Sequence, residues 1–204
     1  MPIIVVDVPG YVTFAELRGL ANLGDTSFTD EELAEAREWF ETTFEDFVGM
    51  AFVPREATER LETSCRSTIM LRHWPVRSVI AVRSYSTATA YTSFTAAELE
   101  DLQVLGTGEI KRYALGPWPA DVELDVVHGQ AAPEADIRDA ALTAIAQKLL
   151  DDRSGARANR QFSEATDQGV VRFSMPGDER PFGIPVVDEV ANRYRSKYKL
   201  PGIG

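Results

Sequence analysis

The apolar positions change period twice along the chain, which predicts three blocks. From Phe14 the apolar residues recur at three- and four-residue steps: Phe14, Leu17 and Leu20, then Leu33, Ala36, Phe40, Phe44, Phe47 and Val48. That spacing predicts two amphipathic helices. Thr13 is placed to cap the first. Thr29 followed by Glu32 makes a capping box for the second, which ends around Gly49 or before Pro54. Between about Leu61 and Gln130 the period falls to two: SCRSTIML, WPVRSVIAV, LQVLGTGEIKRY and DVELDVVHG predict strands, with Gly-Thr-Gly as a tight turn. SFTAAELEDL inserts one short capped helical turn.

Helical spacing returns at Pro133, a favourable first helical residue, with Ile137, Ala140, Ala141, Ala144, Ile145 and Leu149 on or near one face. Its alanines allow a neighbour to approach closely. After Leu150 the pattern dissolves into the polar DDRSGARANRQFSEATDQG, a mobile connection, then a brief strand VVRFSM and a turn at Pro176 and Gly177. The chain closes with Phe-Gly-Ile-Pro and a helix from Val186 to about Tyr198. The expected class is α+β: one domain over 1–204, a helical bundle core with an inserted antiparallel β region and a C-terminal arm. Its segments are N-terminal helices (1–60), the β insertion (61–130), an Ala-rich helix (131–152), a flexible connection (153–178) and the arm (179–204).

Within LRHWPVRSVIAV, Val76, Ile80 and Val82 are apolar and Arg77, Ser78 and Arg83 polar, while Val79 breaks strict alternation. Pro75 loses no ladder hydrogen bond at a strand start, so this stretch reads as an edge or docking element.

Composition narrows the chemistry. With 204 residues, 44% hydrophobic and 26% charged, the chain has enough apolar material for one core. No basic leader and no apolar run near 18 residues is present, so neither a signal peptide nor a membrane span is expected. Cys65 is the single cysteine and reads as a small buried strand residue. The net charge of −11 is uneven: residues 1–62 carry fourteen carboxylates against four arginines, whereas Arg193, Arg195, Lys197 and Lys199 have no acid among them. An acidic head and a basic tail suggest two electrostatic partners, or copies meeting head to tail.

Catalytic motifs are weak. His73, His128 and Cys65 have no metal-site spacing, GTGEIKRY lacks a third glycine and a following helix, and no Gly-Lys-Ser/Thr phosphate loop or Gly-x-Ser-x-Gly elbow occurs. The carboxylates Glu31, Glu32, Glu35 and Glu38 fit a solvated helix face. Arg153, Arg157 and Arg160, three and four residues apart, suit carboxylates of another subunit better than phosphate. No cofactor, metal or catalytic residue is expected.

Together, LRHWPVRSVIAV, DVELDVVHGQAAPEADIRDAALTAIAQKLL and RPFGIPVVDEVANRYR resemble the head-tail adaptor (connector) proteins of long-tailed double-stranded-DNA phages, especially those of actinobacterial hosts. Pro75-Val76, Gly129 with Pro133, and Gly183-Ile184-Pro185 with Asp188 carry the match, with Val186 where that family commonly has an acid. The resemblance implies a virion neck protein, made in the host cytoplasm, forming a closed ring of about twelve copies. Its implied partners are itself, the portal protein and a stopper or tail-completion protein, with DNA passing through the centre without specific binding and no membrane contact.

On this reading the acidic residues Glu31, Glu35, Glu38 and Glu45 face the channel or a subunit seam, where like charge keeps DNA from sticking. Arg153, Arg157 and Arg160 bridge subunits. The arm docks on the portal through Phe182, Gly183, Ile184, Pro185, Val187, Val190, Arg193, Tyr194, Arg195, Lys197 and Tyr198, its apolar stripe and cations entering an acidic groove. Two other classes stay open: a monomeric adaptor module that docks one protein, and a small acidic hydrolase using a carboxylate pair.

Overall fold

The computed structural model describes residues 10–20, 28–63, 66–105, 108–113, 116–154, 164–166, 169–171 and 180–198. In chain order the elements are α1 (Phe14–Arg18), α2 (Asp30–Val48), β1 (Arg55–Glu62), β2 (Thr68–Met70), β3 (Val76–Tyr85), β4 (Tyr91–Ser93), α3 (Ala96–Glu100), β5 (Leu102–Val104), β6 (Glu109–Arg112), β7 (Asp121–His128), α4 (Ala135–Ser154), β8 (Glu164–Thr166), β9 (Gly169–Val171) and α5 (Pro185–Tyr198). They fall into two compact units: residues 1–49 with 133–204, and residues 50–132. The fold is α+β, with the long helices in the first unit and two antiparallel sheets in the second.

In the helical unit, local rules set the boundaries. Both helices start on a capping box, Thr13 with Glu16 and Thr29 with Glu32, in which each threonine side chain accepts the N–H three residues on and each glutamate accepts the threonine's own N–H. Gly49 ends α2 in the left-handed region at φ +81°, where a side chain would be strained. Helix α2 buries Leu33, Ala36, Phe40, Phe44 and Val48. Phe47, expected on that stripe, is half-buried instead, and the Arg195 guanidinium covers its ring at 4.5 Å. The same helix buries Arg37 and Glu41, and Glu41 Oε1 accepts the Tyr11 N–H at 2.7 Å.

Helix α4 starts at Ala135, two residues after the proline expected to open it, and packs on both α2 and α5. Its buried apolar residues are Ile137, Ala140, Ala141, Ala144, Ile145 and Leu149, so three of its alanines lie where helices meet. Phe182, just before α5, stacks on Phe40 at 5.0 Å and meets Trp39 edge-on at 5.6 Å. Asp188 holds that approach in place: its carboxylate accepts the Phe182 N–H at 2.9 Å. Burial pushes this carboxyl up, and the backbone N–H groups of Phe182, Gly183 and Ile184 act in the opposite direction.

In the sheet unit, β7 alternates without a break: Val122, Leu124, Val126 and His128 point inward, and Asp121, Glu123, Asp125 and Val127 do not. It pairs with β1 on one side and β3 on the other, and β4 extends the order to β1-β7-β3-β4. A second sheet, β2-β6-β5, closes the core around Ile69, Ile110 and Trp118. The broken alternation at Val79 has a structural cause, because β3 slips register against β7 between Val76 and Ser78 and again between Val79 and Ala81. The second slip leaves Ile80 about half exposed. Pro75 precedes β3 after a cis peptide bond, and its carbonyl accepts the Gly129 N–H at 2.8 Å. Gly129 has φ +97°, and a Cβ there would lie 2.3 Å from the Val53 carbonyl oxygen, so no side chain fits.

Strand β1 is missing from the sequence expectation. Its residue with the least exposure is Glu59, whose carboxylate accepts the N–H groups of Arg72 and His73 and lies 2.6 Å from His73 Nδ1. Burial disfavours the charged form, yet these bonds outweigh it and keep the carboxyl below its usual range. His128 packs on the His73 ring at 4.7 Å. Burial first, then the charges of His73 and Arg55, hold the His128 imidazole down to about 4, against the opposing pull of Glu59. Cys65 lies outside the described residues.

Two outcomes follow. Tyr194→Ala removes a buried ring packed against Phe44 and a hydroxyl that donates to Asp136 at 2.8 Å, and should destabilise the protein by about 3–5 kcal/mol in chemical denaturation. The imidazole of His128 must stay neutral in the folded state but ionises near 6.5 when unfolded, so its contribution is complete above that pH and is lost as pH falls toward about 4. Urea midpoints measured between pH 7.5 and 5 should therefore fall less steeply for His128→Gln than for the unsubstituted protein.

Candidate functional site

The C-terminal arm is the first surface the sequence singles out, and its apolar stripe packs at home. Phe182, Val187, Val190 and Tyr194 are buried in the helical unit, where α5 contacts α2 and α4. The reason is volume: Phe40 and Phe44 already form an aromatic surface, and Phe182 and Tyr194 complete it. The cations behave likewise. Arg193 pairs with Asp136 at 3.4 Å and Lys197 with Glu134 at 3.2 Å, so acids before and in the first turn of α4 take the charge expected to seek a partner's groove. The exposed face of the arm keeps Pro185, Val186, Arg193, Arg195 and Lys197; Gly183, Ile184 and Tyr198 are half-buried. Val186 is its outstanding apolar residue, 66% exposed. Lys199 and residues 200–204 lie outside the described residues.

The second surface is the polar face of α2. Because Leu33, Ala36, Phe40 and Phe44 must turn inward, Glu31, Glu35 and Glu38 are forced outward, and all three are exposed. Asp46 continues the line, while Glu45 is half-buried and engaged. Arg153 does not extend from the unit: its guanidinium lies 5.4 Å over the Phe28 ring and lines a cleft of about 400 Å³ with Glu32, Glu35, Lys148 and Asp152. Arg157 and Arg160 lie outside the described residues.

The third surface, unread in the sequence, is the outer face of the four-stranded sheet. Arg83 bridges Glu123 at 2.6 Å and Asp125 at 2.5 Å, and Thr58 donates to Asp125 at 2.7 Å. Arg60 pairs with Asp121 at 2.6 Å and lies 4.0 Å over the Tyr85 ring. These bonds hold Asp121 and Asp125 below the ordinary carboxylate range and raise both arginines. A hydrolase built on paired carboxylates needs one held protonated near neutral pH. This face does the reverse. The alternating acids of β7 are a signal for it, but reading them required the register that sets Glu123 opposite Arg83.

Among the described residues no three His, Cys, Asp or Glu side chains gather to hold a metal ion, and no described helix is long and apolar enough to cross a membrane. On the arm and the sheet face Arg60, Arg83, Arg193 and Lys197 already meet carboxylates, whereas Glu31, Glu35 and Glu38 on α2 have no partner among the described residues.

No protein-family model matches this chain, and no curated protein matches it. Solved structures do match. One is a chain in the neck of an empty GTA particle computed with C6 symmetry, with 21% identity, a TM-score of 0.57 and 92% of each chain covered. A second belongs to the virion of a native gene transfer agent (GTA) particle, with 20% identity, a TM-score of 0.53, and coverage of 91% of this chain and 92% of that one. A third lies in the neck of a native GTA particle computed with C12 symmetry, with 18% identity, a TM-score of 0.51, and coverage of 87% and 86%. The chain shares its fold with these neck and virion chains over nearly its whole length.

Proposed function

We propose that the protein is a structural neck component of a phage-like particle. In this role it is an adaptor whose copies close into a ring beneath the portal, join it to the stopper or tail, and surround the path of the DNA. The observation that carries this reading is the shared fold over 92% of both chains with a component of a GTA neck. The motifs that resemble head-tail adaptors support it independently, and two of them now have physical reasons: Gly129 admits no side chain, and Asp188 fastens the turn that leads into the last helix. The paired outer face of the sheet fits a scaffold rather than an enzyme.

Portal docking then falls to the exposed side of the arm, with Val186 as its apolar anchor flanked by Pro185 and Ile184. A contact of this kind has an apolar core and a polar rim, and Val186 with the charged residues of the arm supplies both. The acidic face of α2 lies along the DNA path or at a seam between copies.

Light scattering of the purified protein mixed with portal protein tests the assignment. Val186→Asp should leave the melting temperature within about 2 °C, because the side chain is exposed, yet weaken portal binding at least about tenfold. Undiminished portal binding by that variant would remove Val186 from the contact, and failure of the unsubstituted protein to bind portal would overturn the adaptor reading.

A further inference from the structure

Among the described residues, seven cations pair with a carboxylate, Arg18 with Asp30, Arg60 with Asp121, Arg83 with Glu123 and Asp125, Arg138 with Glu16, Lys148 with Asp152, Arg193 with Asp136 and Lys197 with Glu134, and Lys111, Arg112, Arg153 and Arg195 have an aromatic ring. Arg66, Arg72 and Arg77 have neither. All three are exposed, all belong to the sheet unit, and none of their guanidinium groups has an ion-pair, hydrogen-bond or ring partner among the described residues. In a chain with 32 carboxylates and 21 cations, three unmatched arginines within twelve residues are not explained by a shortage of acid.

They lie close together along the chain. Arg66 and Arg72 flank β2, six residues and so at most about 20 Å of extended chain apart. Arg77 sits in the first register slip of β3, where the extra residue leaves the ladder and its side chain is exposed. The backbone between Arg72 and Arg77 is held, since the buried Glu59 carboxylate takes the N–H groups of Arg72 and His73.

A complementary array lies on the helical unit. Glu31, Glu35, Glu38 and Asp46 follow one line on α2, spanning about 22 Å of rigid helix, and none has a partner among the described residues. Four unpaired carboxylates in a row cost repulsion that a row of guanidinium groups relieves, and arginine makes the stronger, forked bond to a carboxylate.

We infer that Arg66, Arg72 and Arg77 of one copy receive the Glu31, Glu35, Glu38 and Asp46 face of α2 from a second copy, forming the seam between adjacent subunits. The two arrays differ and lie on different units, so the contact is heterologous, the kind that repeats head to tail and closes into a ring. This inference rests on the neck-ring reading and replaces Arg153, Arg157 and Arg160 as the bridging cations. It also explains why Arg72 and Arg77 bracket the Trp74-Pro75 step: the docking element suspected in that stretch is its arginines.

Two charge-reversed proteins test it, one with Glu31→Lys, Glu35→Lys and Glu38→Lys, the other with Arg66→Glu, Arg72→Glu and Arg77→Glu. The reversed residues are exposed, so circular dichroism should show both folded; Gln at the same positions gives a milder pair of variants should a reversed one misfold. In sedimentation velocity at low salt, with portal present and absent, each reversed protein alone should self-associate at least about tenfold more weakly than the unsubstituted protein. An equimolar mixture should regain assembly, because each positive array then meets a negative one on the next copy. Undiminished association of either reversed protein, or a mixture that does not recover, overturns the seam while leaving the ring reading standing. An unsubstituted protein that stays monomeric under both conditions overturns the ring and the seam together.

Discussion

Helix α2 must bury Phe40 and Phe44, and much of the helical unit follows from that requirement. The two rings, 5.4 Å apart, are the surface on which Tyr11, Phe182 and Tyr194 gather from three distant points of the chain. Aromatic pairs at these separations add to the burial of their area, so the cluster fixes where the segment before α1 and the helix α5 can lie. The same requirement has an electrostatic consequence. With one side of α2 committed to the core, Glu31, Glu35 and Glu38 have no position but the outside.

Charge is handled differently on the sheet unit. Its outer face is laced by Arg83 and Arg60 to three carboxylates of β7, the buried Glu59 carboxylate accepts two backbone N–H groups, and the arginines around β2 and the start of β3 have no partner among the described residues. Exposed ion pairs contribute little each to stability. Their value here is geometric: a sheet face already neutralised makes no strong claim on a partner, whereas unpaired rows of opposite sign do. The proposed ring needs that distinction between surfaces that stay quiet and surfaces that pair.

Local signals were legible in the chain. Thr29 with Glu32, Gly49 after the last apolar residue and the unbroken alternation of β7 depend on neighbours within a few residues, and each stands where its pattern places it. Strand β1 was not legible because its inward position is filled by a glutamate, so alternation of apolar residues never appears; what makes it a strand is its pairing along its whole length with β7, and the inward Glu59 takes the N–H groups of residues 72 and 73. The stripe of α5 was readable as a stripe, but periodicity cannot say whether the surface it meets belongs to the same chain. Phe40 and Phe44 settle that for Phe182 and Tyr194. The destination of Arg193 and Lys197 depended on Glu134 and Asp136, some sixty residues away, and the paired sheet face depended on a register that two slips in β3 alter.

The central claim is a place in a particle, and locating the chain there tests it most directly. Cryo-electron microscopy of purified particles that carry this protein, with the neck reconstructed without imposed symmetry, should show its fold repeated as a closed ring between the portal and the tail. Density for the chain anywhere else, or an isolated copy at the neck with no like neighbour, would contradict the account.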